Sequence, residues 1–390
     1  MSALRLLTAD VVYTGMGLPL APGAVVVSDT LIVATGRPEE LRARYPEALE
    51  SRAGEVIAPA PVNAHTHLDM SAFGFHSAPY PEWIPWVIAQ GRSGLRGLEG
   101  ARKGLAELRA SGVALAGDIV AREDVLEYLL SESDLGGVVY WEVIDAHPAT
   151  ADATFWRTVE KMRAWRRLER PGGPRLGLTP HTAHTVSGRL MSKLVEFARL
   201  EGFPLQIHIA ESPDELEMFR SGQGALARSI TSVFGPLEDI WGRPPGPDLT
   251  PVSYLAQLGV LEARPTLIHA VNVTEQDARL IGAAGCPVVT CPRSNAHLSC
   301  GTFDWNLFAR SGVEIALGTD SSASGESLNV LEEIAFARRL YGGRVPLREL
   351  VRAAVKGGHR VMGEKVPLLR RGENLTAACV WEGTTLRPLA

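Results

Sequence analysis

Eight short apolar runs, separated by amphipathic stretches, constrain what this chain can fold into more than any other feature. They are Val56–Val62, Val113–Val120, Val138–Ile144, Leu176–Thr179, Leu205–Ile209, Thr266–Ala270, Val288–Thr290 and Ile315–Leu317. A run that is apolar at successive positions, not at alternate ones, suits a parallel strand covered on both faces. Helical patterns lie between most of them, at Leu98–Ala110, Phe155–Leu168, Leu190–Leu200, Glu275–Ala284 and Glu326–Leu340. Strand and helix in alternation predict an α/β fold, a (β/α)8 TIM barrel over residues 56–363. The rival, an open doubly wound sheet, would carry a Gly-rich phosphate turn after its first strand, and that turn is missing.

The ends of the chain read differently. Leu7–Tyr13, Gly23–Val27 and Leu31–Thr35 are short strand patterns split by Gly and Pro turns, with no long helix between them. Leu375–Trp381 has the same character. Residues 1–55 with 364–390 are therefore expected to form a small β-sandwich module built from both termini. A Gly- and Pro-rich insertion, Gly222–Pro251, follows the fifth run. A long loop of that kind is expected beside the barrel mouth or at a contact between copies in a homo-oligomer.

Charge excludes several partners. The net charge is −5 and the basic residues are scattered, so neither nucleic acid nor a membrane surface is expected. No apolar run approaches the ~18 residues of a membrane span. The start, Met1–Ser2–Ala3–Leu4–Arg5, lacks the apolar segment of a signal peptide. Cys286, Cys291, Cys300 and Cys379 show no CxxC pairing. A reduced, cytoplasmic setting is expected.

The chemistry begins at Asn63-Ala64-His65-Thr66-His67, at the end of the first run. Alternate strand residues face the same side, so His65 and His67 can grip one metal ion together. Two surface histidines would show the same pattern. Other strand ends favour the metal: His208 lies in the fifth run, His269 in the sixth, and Asp320 follows the eighth. Barrel active sites are built from such C-terminal strand ends.

This set resembles the amidohydrolase superfamily, in its mononuclear aminohydrolase (ATZ/TRZ-like) branch. The resemblance spans essentially the whole chain. It implies one divalent ion, Zn2+ before Fe2+, held by His65, His67, His208 and Asp320. Strand four, Arg175–His181, offers no Lys or acid to bridge a second ion. His269 would contact the attacking water, and Asp320 and His269 would take its proton. His208-Ile209-Ala210-Glu211 resembles the HxxE of this branch, which implies Glu211 as the proton shuttle to a ring nitrogen. A helix-capping or ion-pairing Glu would look the same.

The stretch Thr179-Pro180-His181-Thr182-Ala183-His184 resembles the family's substrate-contacting PHxPY segment, with His181 matched. Ala183 and His184 depart from the usual Pro and Tyr, which leaves His184 without a role. Cys291-Pro292-Arg293-Ser294-Asn295 matches CPxSN and adds Ser294 and Asn295 as substrate contacts. Cys291 itself reads as a packed thiol, since a further soft ligand would leave no place for water. Trp83 and Trp86 stand three apart on a helix, either packed in the core or forming an aromatic wall for a flat heterocycle.

The expected reaction is hydrolytic deamination of a nucleoside-like small molecule by water. The resemblance points first to 6-amino-6-deoxyfutalosine and second to S-adenosylhomocysteine or methylthioadenosine. The zinc deaminase fold with PCxxC is excluded, because the chain has no PCxxC. A non-catalytic barrel scaffold would be expected to have lost some of these ligands.

Overall fold

The computed structural model describes residues 4–113 and 115–389. Met1–Ala3, read above for a leader, and Ala114, within the second apolar run, lie outside the described residues. Among the described residues no helix is long and apolar enough to cross a membrane.

Both termini feed one six-stranded sheet. Strands β1 (Leu4–Val12), β2 (Gly23–Ser28), β3 (Leu31–Gly36) and β4 (Leu49–Ala58) come from the N-terminal side. Only β1 and β4 pair in parallel; β2 and β3 continue the sheet antiparallel. A helix at Pro38–Arg44 sits between β3 and β4.

Eight parallel strands follow: β5 (Asn63–Thr66), β6 (Leu115–Val120), β7 (Gly136–Val143), β8 (Arg175–Pro180), β9 (Gln206–Ile209), β10 (Thr266–His269), β11 (Val288–Thr290) and β12 (Ile315–Leu317). The C-terminal pair β13 (Cys379–Glu382) and β14 (Thr385–Pro388) then returns to β4.

The eight strands close into a barrel. Two four-stranded arcs, β5–β8 and β9–β12, meet through Leu178 paired with Leu205, and Thr66 paired with Asp320. Residues of β5, β6, β7, β10, β11 and β12, including Ala64, Ile119, Val138, Ile268, Val289 and Ala316, pack together in a buried cluster. Cys291 belongs to this cluster. Closure presses β12 against β5 so tightly that a Cβ on Gly318 would lie 2.8 Å from the His65 carbonyl oxygen. Only glycine fits there.

The first apolar run is not one strand. Residues 56–58 end β4, where Ile57 pairs with both Val12 and Val380 in the terminal sheet. Pro59 and Pro61 follow, and neither has the N–H that a barrel strand must donate. The first barrel strand is therefore β5, so His65 lies within it and His67 just beyond. The 222–251 insertion is helical, not a loop: helices span Gly224–Phe234 and Leu237–Trp241. Leu226, Ala227 and Ile230 give the first an apolar stripe, while the glycines and prolines flank the helices. The expected Glu326–Leu340 helix is in place from Val330 to Tyr341, started by Asn329, whose side chain accepts from Leu331 N–H.

Candidate metal centre and active site

The C-terminal strand ends bring His67, His208, His269, Glu211 and Asp320 to the floor of a cavity of about 290 Å³ at the barrel mouth, with His65 fully buried among them. Their nitrogen and carboxylate oxygen atoms fall into three overlapping groups: His65, His208 and His269; His65, His67 and Asp320; Glu211, His269 and Asp320. Within each group the atoms lie within 4.8 Å of one another. The backbone is strained where it delivers them: Ala210, His269, Ala270 and Asp320 all have positive φ, from 46° to 69°. Such strain at non-glycine residues costs free energy and clusters at functional sites.

Each ring is aimed by a neighbour. His65 Nδ1 donates to Gln206 Oε1 at 3.1 Å, and Gln206 is itself fixed by donating to the Ala64 carbonyl at 2.9 Å. His208 Nδ1 donates to the His181 carbonyl at 3.2 Å, and His269 Nδ1 donates to Asn295 Oδ1 at 2.9 Å. In this arrangement the three Nε2 atoms carry lone pairs. Asp320 is held the same way: its Oδ2 accepts from Ser294 Oγ at 2.6 Å and Ser324 Oγ at 3.0 Å. Its Oδ1 stands 3.5 Å from His67 Nε2 and 3.8 Å from His65 Nε2.

Electrostatics suits a cation. Burial first, and then the charge of His67, pushes His65 down to about 3. Burial also holds His67 below and His208 well below the ordinary imidazole range, so all three are neutral at pH 7. Burial pushes the Asp320 carboxyl up, but the imidazoles of His67, His269 and His65 and the Ser294 hydroxyl outweigh it, and the group stays ionised. Neutral imidazole and ionised carboxylate are the protonation states that ligate metal.

His65 Nε2 and His67 Nδ1 are buried without a hydrogen-bond partner in the protein. A divalent ion is a natural partner for such a cluster, where unpaired polar atoms would be costly. The histidine and aspartate groups thus form a mononuclear metal site, with donors that suit Zn2+ or Fe2+.

Glu211 is 7% exposed and sits across the floor, its Oε1 3.6 Å from His269 Nε2. Burial pushes its carboxyl up to about 7, against the pull of His269. Its main chain is clamped: the N–H donates to Glu215 Oε2 at 2.9 Å, and the carbonyl accepts from Asn272 Nδ2 at 2.7 Å.

The remaining expected residues fall in different places. His181 and Trp83 line the cavity. Trp86 stacks on His76, with ring centroids 4.6 Å apart, and meets Phe73 edge-on instead of facing the cavity floor. Ser294 and Asn295 lie behind Asp320 and His269 as their hydrogen-bond partners.

Other groups at the site were not singled out in the sequence. Arg96 joins Asp69 at 2.8 Å and Glu142 at 3.4 Å, and Glu142 Oε1 lies 3.8 Å from His181 Nε2. Glu142 is the one charged residue of β7, next to its C-terminal end, and that position was the available signal. Arg96 gave none, nor did Tyr80, which lines the same cavity, because nothing in their local sequence marks them. Leu226, Ile230, Val233 and Phe234 of the insertion face Ile84 and Val87 of helix Tyr80–Arg92 across the cavity. The insertion therefore stands beside the barrel mouth.

Comparison with known proteins agrees with this architecture. The amidohydrolase family model matches residues 56–372, and a bacterial imidazolonepropionase-like composite domain matches residues 23–48. An aminodeoxyfutalosine deaminase of Deinococcus radiodurans is 57% identical over 380 residues, covering 97% of this chain and 90% of that one. A 5-methylthioadenosine/S-adenosylhomocysteine deaminase of Nitratidesulfovibrio vulgaris is 27% identical over 329 residues, covering 82% and 68%. The crystal structure of Helicobacter pylori aminofutalosine deaminase superposes with a TM-score of 0.71 at 20% identity, covering 98% of this chain and 93% of that one. The chain belongs to the amidohydrolase family.

Proposed function

We propose that this chain is a metal-dependent aminohydrolase that converts 6-amino-6-deoxyfutalosine to futalosine and ammonia, a step of menaquinone biosynthesis. The similarity to the Deinococcus radiodurans aminodeoxyfutalosine deaminase, 57% identical over 97% of this chain, carries the choice of substrate. The site supports the reaction type, because it sets a buried, proton-exchanging carboxyl, Glu211, beside the metal-binding cluster.

In this reading His65, His67, His208 and Asp320 would hold a divalent ion, and His269 would contact the attacking water. When bound, the ion acts as a Lewis acid that lowers the pKa of water from 15.7 to about 7. Asp320 Oδ1 and His269 Nε2 accept the proton of the attacking water, because Ser294 and Asn295 occupy the other polar atom of each. Water adds to the amino-bearing ring carbon. Glu211, its carboxyl raised by burial, gives a proton to the adjacent ring nitrogen. The proton taken up from water then passes to the amino group, the C–N bond breaks to release ammonia, and the added hydroxyl returns its proton to Glu211 as the carbonyl forms. His181 and Trp83 position the heterocycle, and Ser294 and Asn295 act through the groups they hold.

In this reading the sheet of β1–β4 with β13 and β14 serves as a supporting module and the barrel that starts at β5 is catalytic, since every residue lining the cavity lies between His67 and Asp320. Four free cysteines fit a reducing cytoplasm. The test is ammonia release from adenine nucleosides with varied 5′ groups. Aminodeoxyfutalosine is expected to have the highest kcat/KM, and a higher value for methylthioadenosine or S-adenosylhomocysteine would reassign the substrate.

A further inference from the structure

His184, where the family pattern has Tyr, is built into the site. It is 2% exposed and yet lines the cavity. Its turn is rigid: the N–H groups of His184 and Thr185 donate to Thr182 Oγ1 at 3.3 and 3.0 Å. Thr185 Oγ1 in turn contacts Thr182 Oγ1 and His181 Nδ1, each at 2.8 Å. The ring therefore has little freedom.

Its Nδ1 faces Glu215 Oε1 at 3.6 Å, and both atoms are buried without any hydrogen-bond partner. Two buried, complementary and unpaired atoms just beyond hydrogen-bond reach form a contact that tightens at little cost once the cavity fills. The other oxygen of the same carboxylate, Glu215 Oε2, holds the main-chain N–H of Glu211 at 2.9 Å. Glu215 is 2% exposed and sits in the first turn of helix Pro213–Ser221, capped by Ser212. One buried carboxylate thus reaches both His184 and the residue read above as the proton shuttle.

We infer that His184 is a substrate-binding residue that accepts a hydrogen bond from a sugar hydroxyl of the nucleoside, with Glu215 as its positioning residue. The Nδ1–H donates towards Glu215 Oε1, which leaves Nε2 as an acceptor at the end of the ring that reaches the cavity. The heterocycle must place its amino-bearing carbon at the metal end, beside Glu211. The sugar then falls along the wall, where polar side chains such as His184 interrupt the apolar lining. Because the Glu211 main chain rests on the same carboxylate, a seated sugar and a placed shuttle share one anchor. The inference rests on the nucleoside deaminase reading.

The test uses the metal-loaded full chain, with ammonia release from adenosine, 2′-deoxyadenosine and 3′-deoxyadenosine. One lost hydrogen bond predicts that His184→Ala raises KM for adenosine about tenfold while kcat changes less than about threefold. On the deoxy substrate that lacks the partner hydroxyl, wild type and variant should have the same KM. His184→Gln, which keeps an acceptor, should recover part of the loss, and it replaces the alanine variant if that one does not fold. Glu215→Gln can still hold the Glu211 N–H and should raise KM in the same direction. An unchanged KM, or an equal penalty on all three nucleosides, overturns the inference and leaves the deaminase reading standing. A wild-type enzyme that releases no ammonia from any adenine nucleoside overturns both.

Discussion

Replacing Glu211 by Gln separates proton transfer from every other duty of this site. The amide has the size of the carboxyl but cannot accept and relay a proton. The contacts that fix the residue are made by its main chain, to Glu215 Oε2 at 2.9 Å and Asn272 Nδ2 at 2.7 Å, and both survive the change. None of the groups read here as metal ligands is altered.

The wild-type carboxyl, pushed up to about 7 by burial, is present in both protonation states near neutral pH, as a residue that donates and then recovers a proton requires. Losing such a group typically costs about 10²–10⁴-fold in rate, or about 3–5 kcal/mol of barrier. Glu211→Gln should therefore keep a full complement of metal and near-normal substrate affinity, while kcat falls at least about 100-fold. Elemental analysis, a binding isotherm and steady-state ammonia release measure the three quantities. Full metal with turnover within about threefold of wild type would refute the shuttle role and leave Glu211 as a structural acid.

The metal site carries its own tests. Wild type should hold about one divalent ion, and His65→Ala or His67→Ala should lose both metal and activity; full occupancy in both variants would contradict the ligand set. Gln206→Leu removes the acceptor of His65 Nδ1–H and should weaken metal binding about 10–100-fold in a chelator competition, with no residue of the site itself changed. Arg96→Met leaves Asp69 and Glu142 without their cation, and breaking a buried pair of this kind should cost about 3 kcal/mol in denaturant unfolding; a loss below about 1 kcal/mol would show the cluster to be solvated. Because the folded protein holds Glu211 above the ordinary value of 4.5, metal-free protein loses stability as pH rises from there towards 7. Metal-free Glu211→Gln should therefore melt higher than metal-free wild type at pH 8, with the gap closing towards pH 4.5; equal melting at both pH values would refute the burial argument.

The sequence by itself determined the barrel and the identity of the metal-binding cluster. Both are written in local patterns. A strand buried on both faces must be apolar throughout, so the runs Val288–Thr290 and Ile315–Leu317 mark β11 and β12 to the residue. A charged or imidazole side chain at the end of such a run has only the barrel mouth to face, which is why His208, His269 and Asp320 could be found without knowing their neighbours. Where a local pattern was ambiguous, the reading slipped. Val56–Val62 is continuous in hydropathy, but Pro59 and Pro61 divide it between two sheets, and the partners of Ile57 are Val12 and Val380, far away in the chain. The Gly222–Pro251 segment looked like a loop because its glycines and prolines drew attention from the short apolar stripe of helix Gly224–Phe234.

What only the tertiary structure decided is what each functional atom points at. Gln206 reaches His65 across 141 residues of sequence, and Asn295 reaches His269 across 26. Such pairings depend on strand neighbours brought together by closure of the barrel, and no local periodicity records them. The same holds for Arg96 with Glu142, for His184 with Glu215, and for Trp86, which turns to His76 although its spacing from Trp83 is that of a shared helix face. Composition and periodicity fix which residues are buried and on which element. The direction of a hydrogen bond is fixed only when two elements meet, because its energy depends on distances and angles that exist between them and in neither alone.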